Sequence, residues 1–131
     1  MQFEFATATR IVFGPGAAGR IGREAAALGR RAFVLTGADP QRAWPLLRDL
    51  ESHHVMHTVF RIGREPTVDL VAEAAREAGS RDCDLVIGIG GGSAMDVAKI
   101  VSVMLTNDVS LRQLLAKAKI GPEPVMRELQ R

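Results

Sequence analysis

The sequence predicts an α/β fold, a Rossmann-like open and mostly parallel sheet with helices on both faces. Three observations carry that expectation. Short β-prone runs such as Arg31 to Thr36 and Leu85 to Ile89 alternate with longer stretches whose apolar residues recur at helical spacing. Glycine or proline punctuates most of the junctions between them. No internal repeat is visible, and strands alternating with helices form parallel sheets through crossover connections.

Composition narrows the class further. A chain of 131 residues makes one domain of ordinary size, able to bury roughly two-thirds of the surface that it exposes when unfolded. The 14 Arg and 3 Lys are scattered among 15 acidic residues, and the net charge of +2 comes without the basic run of a nucleic-acid binder. No nucleic-acid partner is therefore expected. The apolar runs fall far short of the roughly 20 residues that span a bilayer, so no membrane partner is expected either. Cys83 is the single cysteine, which excludes an intrachain disulfide, and no charged-then-apolar leader is visible. The expectation is a cytoplasmic protein.

In order, Gln2 to Ala8 alternates Phe3 and Phe5 with Gln2 and Glu4, and Arg10 to Phe13 supplies a second short run; together they predict an amino-terminal β-hairpin. Gly14-Pro-Gly16-Ala-Ala-Gly19 then opens an alanine-rich helix to about Leu28, closed by Gly29. This segment matches G-x-G-x-x-G, precedes a strand at Arg31 to Thr36, and has Asp39 twenty residues beyond Gly19, where a ribose-binding acid is sought. It reads either as a pyrophosphate cradle or as a tight turn into a closely packed helix.

Gly37-Ala-Asp-Pro40 is a βα turn with Pro40 as first helical residue, followed by a helix to about Glu51 that carries Ala43, Leu46, Leu47 and Leu50 inward. Trp44 reads as core or rim packing. Val55 to Ile62 is a further strand. Glu65-Pro66-Thr67 leads into a helix to about Ala78, with Thr67 as cap, Val68, Val71, Ala72 and Ala75 on one face, and Gly79 as stop. Ser110 is placed to cap a last helix bearing Leu111, Leu114 and Leu115.

The run from Asp84 to Lys99 organises the rest. Leu85, Val86, Ile87 and Ile89 form a strand expected to be covered on both faces. Gly90, Gly91 and Gly92 follow, and residues without Cβ atoms permit positive φ and close approach of another molecule to the main chain. Ser93, three residues before Asp96, resembles a capping box, with Val97, Ile100, Val101, Met104 and Leu105 at helical spacing behind it. The unpaired N–H groups and positive dipole end of such a helix favour a phosphate or another anion. A tight βα turn without a ligand is the alternative. Gly90 to Ser93, Gly37 to Asp39 and Glu65 to Thr67 all lie at carboxyl ends of strands, where open α/β sheets bind ligands, so they are expected to line one crevice.

Other candidate chemistry is thinner. His53, His54 and His57 fall between a helix and a strand with no further ligand to complete a metal site, and read as a solvated loop. Cys83 lies between Asp82 and Asp84, whose charge disfavours a thiolate, and reads as a small apolar filler. Lys99 is placed either to reach a phosphate or to pair with Asp96. No Walker A sequence occurs.

Gly90-Gly-Gly-Ser93-Ala-Met-Asp96-Val-Ala-Lys99 resembles the Gly-Gly-Gly-Ser-x-x-Asp-x-x-Lys signature of the iron-containing, or group III, alcohol dehydrogenases. Arg10-Ile-Val-Phe-Gly-Pro-Gly16, Val34-Leu-Thr36, Glu65-Pro-Thr67 and Cys83-Asp-Leu-Val-Ile87 fall in the order and spacing of that family's amino-terminal domain. Ser93 stands where glycerol dehydrogenases commonly have Lys, which favours the alcohol dehydrogenase branch. The resemblance implies an NAD(P)-binding domain over residues 1–116, with 117–131 as a tail or linker. It implies a diphosphate on Gly91, Gly92 and Ser93, with Asp96, Lys99, Asp39 and Pro66 as further cofactor-binding residues, and a structural turn at Gly14 to Gly19. Many relatives carry the ribose-reading Asp directly after the strand, where this sequence has Gly37.

Relatives continue into a helical domain that supplies one Asp and three His to iron or zinc. That segment has no counterpart in these residues, so no catalytic or metal-binding residue is expected here and the chain is expected to be catalytically incomplete. NAD or NADP is the expected partner, together with a second copy of the chain or another chain, because the strand equivalent to Gln2 to Ala8 takes part in subunit pairing in relatives. The alternative is a non-catalytic interaction module that keeps the fold.

Overall fold

The computed structural model describes residues 12–63, 65–107 and 113. Three parallel strands, β1 (Arg31–Thr36), β2 (Met56–Arg61) and β3 (Leu85–Ile89), lie in the order β2-β1-β3. Arg31 to Thr36 register with Met56 to Arg61 on one side, and Ala32 to Thr36 with Leu85 to Ile89 on the other. Four helices flank the sheet: α1 (Ile21–Leu28), α2 (Trp44–Ser52), α3 (Val68–Ser80) and α4 (Gly92–Thr106).

The period-two alternation of β1 divides the core. Phe33 and Leu35 join Phe60 of β2 beneath α3 and α4, where Leu70, Val71, Ala74, Ala78, Val97 and Val101 are buried. The Phe33 and Phe60 rings stand 5.8 Å apart at 39°, a tilted pair worth about 1 kcal/mol beyond its area. Ala32 and Val34 face the other way, with Leu85, Ile87, Ala25 of α1 and Leu50 of α2. Helices on both faces of a parallel sheet are therefore observed as expected.

The expected β1 is observed at Arg31–Thr36, Pro40 starts a 3-10 turn (Pro40–Ala43) that runs into α2, and the Thr67 hydroxyl caps α3 by accepting from the Leu70 amide at 3.1 Å. Several details differ. Gly79 lies inside α3, which runs to Ser80; the chain turns instead at Asp82, in left-handed conformation with φ 51°. The fully buried face of α3 is Leu70, Val71, Ala74 and Ala78, with Val68 and Ala75 only half-buried at its margin, because the helix packs against α4 as well as the sheet. Trp44 is 55% exposed on the outer side of α2. The expected hairpin falls mostly on residues outside the described ones, and its last residues, Val12 and Phe13, are exposed without regular structure. The helix expected from Ser110 also lies outside the described residues.

Close approaches fix the amino end of the sheet. Gly22 lets α1 rest on the end of α2: a Cβ there would stand 2.6 Å from the Asp49 carbonyl oxygen and from His53 Nδ1. Its amide donates to Asp49 Oδ2 at 2.6 Å. The Asp84 carboxylate accepts from the Arg31 amide at 2.8 Å and the Arg30 amide at 2.9 Å, in the space that a Cβ on Gly29 would occupy. Gly29 thus ends α1 through a close contact and has an extended backbone, φ −174°.

Candidate functional site

β1 and β3 are neighbours, yet α2, which follows β1, lies on one face of the sheet and α4, which follows β3, lies on the other. The two exits diverge and leave a crevice beyond the carboxyl ends of the strands, the place where open α/β sheets receive ligands. Its floor is main chain. The Gly37 amide donates to the Ile89 carbonyl at 3.2 Å. Gly90 has φ +137°, and a Cβ on it would press to 3.3 Å from the Gly37 nitrogen. Gly88 serves packing: a Cβ there would come within 2.9 Å of the Ala98 Cβ, so its absence lets α4 lie close against β3.

Gly91, by contrast, faces open space, with nothing within 4 Å of a Cβ built on it. It is the N-cap of α4, in extended conformation, and no side chain caps the helix. The first backbone bond across this turn runs from the Met95 amide to the Gly91 carbonyl at 3.3 Å. The amides of Gly92, Ser93 and Ala94 precede it and have no intrahelical acceptor. The anticipated capping box does not form. Gly91 already supplies the extended backbone that a cap requires, so the helix begins ahead of Ser93, and Asp96 turns to Lys99, accepting from its Nζ at 3.1 Å.

A second unfilled polar group lies beside this turn. Thr36, the last residue of β1, is 1% exposed, and its hydroxyl has no hydrogen-bond partner. Asp39 follows on the same loop, its Oδ1 accepting from the Gln41 amide at 3.0 Å and its Oδ2 facing Arg42 Nε at 3.7 Å. Pro66 is buried just ahead of the α3 cap, beyond the end of β2. The structure therefore brings Gly91, Gly92, Ser93, Gly37, Asp39 and Pro66 to one end of the sheet. Lys99 is placed elsewhere, further along α4, where it shares a shallow groove with Val86, Gly88, Met95, Ala98 and Ser102 on the outer side of β3. An open glycine cradle, uncapped helix amides and an orphaned hydroxyl fit a diphosphate and its attached ribose.

The competing glycine segment is at the opposite end. Gly14 (φ 143°) and Gly16 (φ 73°) shape a turn in which the Ala17 amide donates to the Gly14 carbonyl and the Gly19 amide to that of Gly16, at 3.1 and 3.0 Å. It leads into α1, whose start rests on Asp49 at the end of α2 and so lies at the amino end of the sheet. The G-x-G-x-x-G match there is a structural turn.

The histidines are dispersed. His53 Nδ1 lies 2.8 Å from the Asp49 carbonyl, His54 holds a turn at φ 59°, and the His57 ring on β2 lies 3.9 Å from Glu51. No group of three metal-binding side chains occurs among the described residues. Burial, ahead of the Asp84 charge, pushes the Cys83 thiol upward despite a hydrogen bond from Thr58. Sequence reasoning named only the charge. It also passed over Thr36, for which no local signal exists, and Gly88, whose place inside a strand is the usual mark of a close backbone approach.

Residues 8–128 match the sequence profile of the iron-containing alcohol dehydrogenases. The chain belongs to that family. It is 34% identical over 115 residues to the sulfoacetaldehyde reductase of Bilophila wadsworthia, covering 82% of this chain and 29% of that protein. It is 38% identical over 84 residues to a long-chain primary alcohol dehydrogenase of Thermoanaerobacter ethanolicus, covering 62% and 21%. Among solved structures, the iron-containing alcohol dehydrogenase from Thermotoga maritima superposes with TM-score 0.72 at 31% identity, covering 92% of this chain and 35% of that one. The sulfoacetaldehyde reductase from Bifidobacterium kashiwanohense, solved in complex with NAD+, superposes with TM-score 0.72 at 28% identity, covering 86% and 31%. This member of the iron-containing alcohol dehydrogenase family thus spans about a third or less of the length of these relatives. No helix among its described residues is long and apolar enough to cross a membrane.

Proposed function

We propose that this chain is the nicotinamide-dinucleotide-binding portion of a metal-dependent alcohol dehydrogenase, with residues 1–116 as the binding domain. The observation that carries the reading is the uncapped start of α4 opening at the point where the β1 and β3 exits diverge. The amides of Gly92 and Ser93 hold the diphosphate, Gly91 gives it room, the Thr36 hydroxyl and the Asp39 loop lie toward the ribose, and Pro66 closes the neighbouring strand end. When bound, the nicotinamide supplies a hydride acceptor or donor for an alcohol or aldehyde. In the complete enzyme an iron or zinc ion would polarise the substrate oxygen, and no described residue of this chain is proposed to hold it.

Calorimetry and thermal shift with NAD and NADP test this reading on the chain as it stands. Weak binding without turnover of alcohols is expected; no heat and no shift at millimolar cofactor would sink it. Ser93→Asp is the informative variant. A carboxylate in the first turn of α4 favours the helix dipole, so the fold is retained while the diphosphate is repelled.

A second reading, a non-catalytic module that pairs with another chain, draws on the outer edge of β3, which has no strand partner among the described residues, and on exposed Met95 and Val103 of α4. Light scattering separates the two: a strictly monomeric, folded species at high concentration removes it.

A further inference from the structure

Resting on the nucleotide reading above, we propose that Gly88 is a positioning residue for the dinucleotide: its missing Cβ seats α4 at the depth from which the Gly92 and Ser93 amides reach the diphosphate. Nothing at the start of α4 itself sets that depth. The helix has no side-chain cap, and its first backbone bond, from the Met95 amide to the Gly91 carbonyl, is 3.3 Å long. The support comes from below, through β3.

Gly88 lies opposite Leu35 of β1 and shares a face of β3 with Val86, which packs toward the core beneath α3 and α4. A Cβ on it would stand 2.9 Å from the Ala98 Cβ, and 3.3 Å from both the Ala94 carbonyl oxygen and the Met95 Cα. Those three atoms belong to the first two turns of α4, the stretch that carries the open amides. Two carbons in contact settle at about 3.5 Å or more. A side chain at 88 therefore lifts this end of the helix by roughly half an ångström. Val101, further along, is fully buried in the core, so the lift falls on the amino-terminal turns. Binding groups must be held within about 0.5 Å of their productive geometry, and the amides are displaced by that much.

Titration calorimetry with NAD+ beside urea denaturation tests the assignment on the chain as it stands. Gly88→Val, a residue that strands accept, is expected to lower NAD+ affinity at least about tenfold while the chain stays folded. Gly88→Ala is expected to lower it less. Adding Ala98→Gly to Gly88→Ala moves one carbon across the contact and is expected to return NAD+ affinity close to that of the parent. Ala98→Gly alone places glycine in a helix interior, which lowers the urea midpoint, yet leaves the seat of α4 unobstructed, so its affinity is expected to be unchanged. Should Gly88→Val not fold, the alanine and exchanged variants decide the matter. A Gly88 variant that binds like the parent, or an exchange that restores nothing, reduces Gly88 to packing and overturns this proposal alone. A parent chain that binds no NAD+ overturns the nucleotide reading and this proposal with it.

Discussion

The amide of Gly37 donates to the carbonyl of Ile89 across 3.2 Å, which ties the turn leaving β1 to the last residue of β3. The two strand exits that frame the crevice are thus held together by main chain, and the glycine turn at residues 90 to 92 is laid directly over that bond. Its glycines have different duties.

Gly90→Ala and Gly91→Ala separate those duties. At Gly90 the backbone has φ +137° and a Cβ would approach the Gly37 nitrogen to 3.3 Å, so alanine is expected to cost about 1–3 kcal/mol of stability. At Gly91 a Cβ enters open space, so stability is expected to change little while nucleotide affinity falls. Urea denaturation beside calorimetry measures both; a Gly91→Ala protein that binds as tightly as the parent contradicts the assigned cradle.

Thr36→Val tests the orphaned hydroxyl. The group is 1% exposed and unpartnered, and burying it without a hydrogen bond is unfavourable, so its removal is expected to stabilise the free chain by about 1 kcal/mol. If a bound ribose satisfies the hydroxyl, the same variant binds nucleotide less tightly. Stabilisation with unchanged affinity would assign Thr36 to packing alone.

Asp84→Asn addresses the opposite end of the sheet. Burial by itself would raise this carboxyl, but the Arg30 and Arg31 amides that donate to it outweigh that and hold it below the ordinary value of 3.8. A group depressed in the folded state adds stability that is complete above its unfolded value and disappears as pH falls through the folded one. The parent is therefore expected to exceed Asp84→Asn in stability at neutral pH and to converge with it on strong acidification. Urea midpoints across that range check it, and a difference that stays constant in acid would be the contrary result.

Much of this arrangement was legible in the residues. The β1 span, the Thr67 cap, the Pro40 start and the placing of three loops at one end of the sheet all follow from local signals that tertiary packing did not override. The misreading at the start of α4 was local too. A Ser and an Asp three residues apart suggest a capping box, but the extended backbone of Gly91 takes the cap position first. The G-x-G-x-x-G match leaves a cradle and a tight turn open by letter, and the contact between Gly22 and Asp49, which carries it to the amino end, agrees with the structural turn that the family resemblance implied.

By itself the sequence determined the class of fold and the family, because period, punctuation and the Gly-Gly-Gly-Ser motif are properties of neighbouring residues. Only the tertiary structure decided that the start of α4 carries no side-chain cap, that Thr36 is buried without a partner, and that Asp39 is engaged by Gln41 and Arg42. Those facts depend on strand order and on which face each crossover helix takes. Neither is encoded within any one segment; both arise when the alternating apolar faces of β1 are covered from two sides.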